Sequence, residues 1–167
     1  RPTLGAVLEA LTKIGGVRIF IKARPTEDRD DYQNITPHIA DNVHLVTSNE
    51  QVNLFTLLCA TDVVLACVST TNFDALVAQV PVVTMALTPQ SRADERAQLL
   101  RSFGLPWVTT VQKLYEELLD YINNESRRHQ LTDCAEIAVR ALLANYPEGN
   151  AQKKILRDLR LSLSGGN

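Results

Sequence analysis

The sequence predicts an α/β fold, an open parallel sheet with helices on both faces. Two observations carry this. Apolar runs of strand length alternate with segments of helical spacing through the whole middle of the chain. Two of those runs, "DVVLACV" (62–68) and "VPVVTMAL" (80–87), are nearly continuous in apolar residues, as in strands buried on both faces of a parallel sheet. With 167 residues, 45% of them hydrophobic, the chain is long enough for one domain (1–167) with a sizeable core.

Taken in order, 3–13 is a helix with Leu4, Val7, Leu8 and Leu11 on one face and Thr3 as its cap. "IGG" ends it. "VRIFIKA" (17–23) is a strand, with Val17, Ile19 and Ile21 on one face and Phe20 on the other; Pro25 stops it. A loop leads to a short strand, "NVHLVT" (42–47). Residues 49–61 form a helix capped by Ser48 or Asn49, with Val52, Phe55, Leu58 and Cys59 at helical spacing. After the 62–68 strand comes a helix of about two turns over 72–79, then the 80–87 strand. A helix follows over about 93–102, then a short edge strand, "PWVTT" (106–110). Thr110 caps the helix 111–124, whose outer face Glu116 and Glu117 keep wet. Further helices span 127–146 and 150–163. The last has a charged side (Lys153, Lys154, Arg157, Asp158, Arg160) and an apolar one (Ile155, Leu156, Leu159, Leu163). The chain opens on "RPTLGAVLEAL" without a methionine. It reads as a processed piece lacking the strand that would precede that helix.

Composition narrows the function. Seventeen basic and nineteen acidic side chains give a formal charge of −2, and no basic tract suggests nucleic acid as a partner. Cys59, Cys67 and Cys134 lack CxxC spacing, which argues against a disulfide framework or a zinc site. Cys59 and Cys67 lie in apolar runs and read as small buried hydrophobes. His38, His44 and His129 are far apart, so no metal is expected. No apolar run reaches ~18 residues. The expectation is a cytoplasmic protein, with peripheral membrane attachment and homo-oligomerisation left open.

In open α/β sheets, ligands bind at the carboxyl ends of the strands. Ser69, Thr70, Thr71 and Asn72 follow the 62–68 strand at that end, and a helix begins at once. Its unpaired backbone N–H groups and dipole suit a phosphate or diphosphate, and the hydroxyls add donors. Capping alone, by Ser69 or Thr70, needs only one of these side chains. Asp74, in the first turn, complements the dipole and could accept hydrogen bonds from ribose hydroxyls. In "KARPT", Lys22 and Arg24 end the 17–23 strand on the same sheet edge. They either neutralise a ligand phosphate or lie along the strand with their charges in water. Gln90, Ser91 and Arg92, after the 80–87 strand, could close over a nucleotide, with Arg92 reaching a phosphate. Arg96 fits a helix surface equally well. There is no GxGxxG, no GxxxxGK[ST] and no GxSxG. A receiver-like domain would need paired acids after its first strand, which are missing.

The stretch from "DNVHLV" through "DVVLACVSTTNFDALVAQVPVVTM", with "IFIKARP" before it and "NYPEGNAQKKIL" after it, resembles the C-terminal, nucleotide-binding half of GT-B-fold proteins. It is similar to the non-hydrolysing UDP-N-acetylglucosamine 2-epimerases and to glycerophosphotransferases and related transferases of cell-surface polymer synthesis. The resemblance covers nearly the whole chain. It implies a Rossmann-like domain that binds the nucleotide-sugar donor of a glycosyltransferase, alongside an acceptor domain upstream that this chain lacks. Ser69, Thr70 and Thr71 match the loop that holds the donor diphosphate, Asp74 the acid near the ribose, and Arg92 the loop after the next strand. Lys22 and Arg24 would line the inter-domain cleft as the catalytic candidates. No separate cofactor or metal is implied. The sequence departs from the pattern in three places. Arg24 stands where the transferases carry a histidine before the proline. Ser69-Thr70-Thr71 replaces the Ser-Gly-Gly of the epimerases. The glycine usual ahead of Pro81 is absent, with Gln79 and Val80 there instead. A 2-epimerase half, or a degenerate domain with a scaffold role, are the alternatives.

Overall fold

In the computed structural model the described residues are 2–27, 29–38, 41–47, 52–67 and 69–143. The expected helix at 150–163, its "YPEGN" lead and the caps at Ser48 and Asn49 lie outside them. Helix α1 is Pro2–Leu11, so Thr3 falls inside the helix and not at its cap. Val7, Leu8 and Leu11 are buried, as the spacing requires. Strand β1 is Ile19–Lys22 and β2 is Val43–Val46, paired in parallel with Ile19 opposite Val43. The connection between them is more than a loop: Asp30–His38 forms a 3-10 helix whose Tyr32 and Ile35 pack with Leu8, Ala23, Val43 and Leu45. Helix α2, Leu54–Cys59, is capped by Asn53, whose side chain accepts from the Phe55 amide at 2.8 Å.

Strand β3 is Val64–Ala66, helix α3 Thr71–Val77 and strand β4 Val82–Met85. The helix expected near 93–102 is present at 95–102, and a short helix that was not expected precedes it. Helix α4, Pro89–Ala93, and helix α5, Glu95–Ser102, are split at Asp94, which takes an extended conformation and accepts from the Arg96 amide. Strand β5, Trp107–Val108, completes a parallel set in the order β3-β4-β5. Trp107 is half-buried, with the Arg101 guanidinium 5.6 Å from its ring centre. Helix α6, Val111–Asn123, starts as predicted at Thr110, which accepts from the Lys113 amide at 3.1 Å. Its Glu116 is exposed, but Glu117 is half-buried and held by Arg127 from helix α7, Glu125–Leu143.

Helices cover both faces of β4. Val82 sits in a core with Leu76, Leu100 and Ala135, from α3, α5 and α7. The next residue, Val83, points the other way, into a core with Val7, Leu11, Leu114 and Leu118 from α1 and α6. Val82, Val83, Leu76 and Leu114 are fully buried, each stabilising the fold by roughly 1.5–3 kcal/mol relative to exposure. The chain is thus an α/β fold with parallel strands flanked by helices.

The sheet corrects one expectation. Among the described residues the strands do not form one hydrogen-bonded sheet. They form two sets, β1-β2 and β3-β4-β5. Strand β3 was expected in the middle, buried on both faces, but it is an edge of its set, and its three residues are only half-buried. The helix before it also turns out differently: Leu58 is buried, while Val52 and Phe55 are exposed. Cys59 and Cys67 are exposed and not small core residues. Cys59 ends a short helix with one buried position, and Cys67 lies just past the half-buried edge strand.

Candidate functional site

Within each set the parallel strands place their carboxyl ends on one side, and each candidate residue falls at that end of its set or a turn beyond it. Strand β3 ends at Ala66. Ser69 and Thr70 lead into α3, with Ser69 and Thr71 half-buried and Thr70 exposed. The Ser69 hydroxyl accepts from the Thr71 amide at 3.2 Å, and the Ser69 carbonyl accepts from the Asn72 amide. Ser69 therefore does the capping work that its residue type predicts, while Thr70 makes no side-chain cap. Asp74 is exposed in the first turn of α3.

Asn72 behaves differently from a helix-start residue. It is 1% exposed, and its amide nitrogen donates to the Cys67 carbonyl at 3.4 Å. Among the described residues its Oδ1 has no hydrogen-bond partner, and neither does Oγ1 of Thr84, the residue that pairs with Ala66 across the sheet. A buried unsatisfied polar atom costs roughly 1–3 kcal/mol. The inner wall behind the polar loop therefore holds acceptor capacity that sequence reading missed. The one signal for it was the amide in an otherwise hydroxyl-rich run.

On the other set of strands, Lys22 ends β1 and its amine donates to the Ala23 carbonyl at 3.2 Å. Arg24 is exposed in a braced turn. Its backbone amide donates to the Glu27 carboxylate at 3.1 Å, the Glu27 amide returns a bond to the Arg24 carbonyl, and the Tyr32 hydroxyl donates to the same carboxylate at 2.5 Å. The Arg24 guanidinium makes no hydrogen bond among the described residues, yet its field reaches the second set of strands. Although Cys67 is exposed as a residue, partial desolvation of its thiol pushes the pKa up, and the Arg24 charge pulls it back down. The charge at the end of β1 thus acts on the residue that follows β3.

Arg92 is engaged elsewhere on the rim. Its Nε donates to the Ala86 carbonyl at 3.0 Å and its Nη2 to the Thr109 carbonyl at 3.3 Å, tying the ends of β4 and β5 together. Ser91 is buried in a capping box with Thr88, each side chain bonding the other's backbone amide. Gln90 is exposed. Arg96 chelates Asp94 on the surface, with Nη2 to Oδ2 at 2.9 Å, and holds that carboxyl below its ordinary range. His44 stacks on Phe20, centroids 5.3 Å apart, on an exposed face of β1-β2. His129 lies on the surface of α7, 3.7 Å from Glu125.

An open hollow lies at the opposite, amino end of β1 and β2, between the 14–18 turn and Asp41–Asn42. It faces away from the rim and contains none of the candidate residues. Among the described residues no group of three His, Cys, Asp or Glu side chains is placed to hold a metal ion, and no helix is long and apolar enough to cross a membrane. No known protein family, curated protein or solved structure matches the chain.

Proposed function

We propose that this domain binds the nucleoside-diphosphate end of a nucleotide-sugar and serves as the donor half of a glycosyltransferase. The observation that supports it is the hydroxyl-bearing run at 69–71, which follows β3 at its carboxyl end and starts α3, with the Arg24 charge acting on Cys67 just before it. In this reading the backbone amides and hydroxyls of Ser69, Thr70 and Thr71 take the diphosphate, and Asp74 takes the ribose. Arg24 and Lys22 stabilise the charge that develops as the nucleoside diphosphate leaves. Transfer also requires the acceptor domain of a two-domain enzyme.

Calorimetric titration with UDP, CDP and GDP tests this directly. Binding in the micromolar-to-millimolar range is expected, weakened about tenfold or more in a Ser69→Ala, Thr70→Ala double variant. Unchanged affinity in that variant sinks the diphosphate role. A scaffold domain without donor binding is the second reading. It draws on the prior engagement of two site groups: Ser69 already caps α3, and Arg92 already holds two carbonyls. A folded domain that binds none of the three nucleotides at millimolar concentration selects that reading. The epimerase alternative has no observation of its own in its favour.

A further inference from the structure

Strands β1 and β3 are not paired among the described residues, yet they border the same core. At their amino ends, Val17 and Ile19 share one core cluster with Val63 and Leu65. At their carboxyl ends, the Arg24 charge lowers the pKa of the Cys67 thiol. Yet among the described residues the strand pairing stops at β1 on one side and β3 on the other. In β1, Ile19 and Ala23 donate to the Asn42 and Val46 carbonyls of the β2 segment, so the Phe20 and Lys22 amides point the other way. In β3, Val64 donates to Pro81 beside β4, so the Leu65 amide faces away from β4. Two rows of unpaired backbone groups therefore border one slot in the sheet. An edge of this kind is a ready template for another strand.

Helix α1 shows what fits. Its Val7 and Leu11, with Ile14 just beyond, pack in the cluster that contains Ile19 from one border of the slot and Leu65 from the other. Helix α1 then turns through Gly15 and Gly16 into β1. A helix that feeds a parallel strand belongs to a β-α-β unit, whose first strand lies beside the second, and such crossovers are right-handed. The side of β1 away from β2 is the slot.

We propose that the slot is filled by one parallel β-strand, apolar on both faces, delivered by the residues that lead into α1 at Pro2. It would join the two sets into one six-stranded sheet, with β1 and β3 about 9.5 Å apart on either side of it. The turn from this strand into α1 would lie on the same rim as Arg24 and Ser69. The inference is independent of any ligand.

The first readout is the stretch encoded directly upstream of Arg1. A run of four to six apolar residues ending a few residues before Pro2 is expected; a charged or proline-broken stretch, or none, overturns the proposal. The second readout is amide hydrogen exchange on the 167-residue chain and on the chain with those upstream residues restored. Exchange at Phe20, Lys22 and Leu65 should slow by about tenfold or more on restoration, while Ile19, Ala23 and Val64 are slow in both. Three results overturn the proposal: no slowing, protection already present in the shorter chain at low concentration, or protection that appears only as that chain is concentrated. The last would make the occupant a second copy. Should the restored chain fold poorly, a synthetic peptide of the upstream residues added in trans should give the same slowing saturably. A proline-substituted peptide should give none. Equal effects of the two peptides, or no effect of either, overturn the proposal.

Discussion

The two sets of strands are built to different standards. Around β4, helices cover both faces, and consecutive residues Val82 and Val83 are each fully buried in separate cores. In β1-β2, among the described residues, one face is covered throughout: Ile19 and Ile21 pack with α1 and the 3-10 helix, while on the other Val46 is buried but the rest is open. The other face shows Phe20, 43% exposed and stacked on an exposed His44. The lesson concerns packing and not residue type, because both sets are made of β-branched and aliphatic residues. A strand reaches full burial only when layers close on both sides of it.

The sharpest test of that contrast is a pair of truncations. Leu76→Ala, in the closed core, should cost about 3 kcal/mol in urea denaturation, and Phe20→Ala, on the open face, less than about 1 kcal/mol. Equal costs would mean that the Phe20 face is covered in solution. Two glycines with positive φ give a second, smaller contrast. A Cβ on Gly104 (φ +81°) would meet the Cys134 sulfur at 3.3 Å, while one on Gly16 (φ +75°) would meet nothing within 4 Å. Gly104→Ala should lose about 2 kcal/mol and Gly16→Ala about 1 kcal/mol, the difference being packing against α7. Identical losses would show that backbone strain alone decides both.

Gln79 holds φ +60° without being glycine. Gln79→Gly, in the turn between α3 and β4, should therefore raise the unfolding midpoint by the equivalent of about 1 kcal/mol. A fall in midpoint would mean that the Gln79 side chain contributes more than its backbone costs. The smallest effect joins the two sets. Arg24→Ala removes the charge that lowers the Cys67 pKa, so its thiolate fraction falls. Iodoacetamide should then label Cys67 roughly twofold more slowly near pH 8. An unchanged rate would separate the rim into two unconnected halves.

Local features were legible in the sequence where local rules decide them. The Thr110 cap and the span read after it gave α6 almost to the residue. The continuous apolar run around Val82 and Val83 gave the central strand. Features that depend on distant partners were hidden. The 3-10 helix at Asp30–His38 has no 3.6-residue apolar period, and among its described side chains Tyr32 and Ile35 reach the core. The exposure of Cys67 and the half-burial of β3 follow from an unpaired strand edge, which composition does not reveal. At the site, the polar run at 69–72 marked the rim, but its chemistry is split. Ser69 turns to its own helix, Asn72 turns inward, and Thr70 faces solvent. Arg92 was readable as a rim cation. Its grip on the Ala86 and Thr109 carbonyls depends on strands pairing across residues far apart in the chain.

The position of Trp107 decides what light reports about this molecule. It is the only tryptophan in the chain, and it lies on β5, beside Arg101, in the set of strands with two closed faces. Its emission is a local signal from that half. Melting of β1-β2 by itself would leave the fluorescence nearly unchanged while far-ultraviolet circular dichroism fell. The gap between the two optical midpoints thus measures how firmly the half-covered strands are coupled to the rest of the fold.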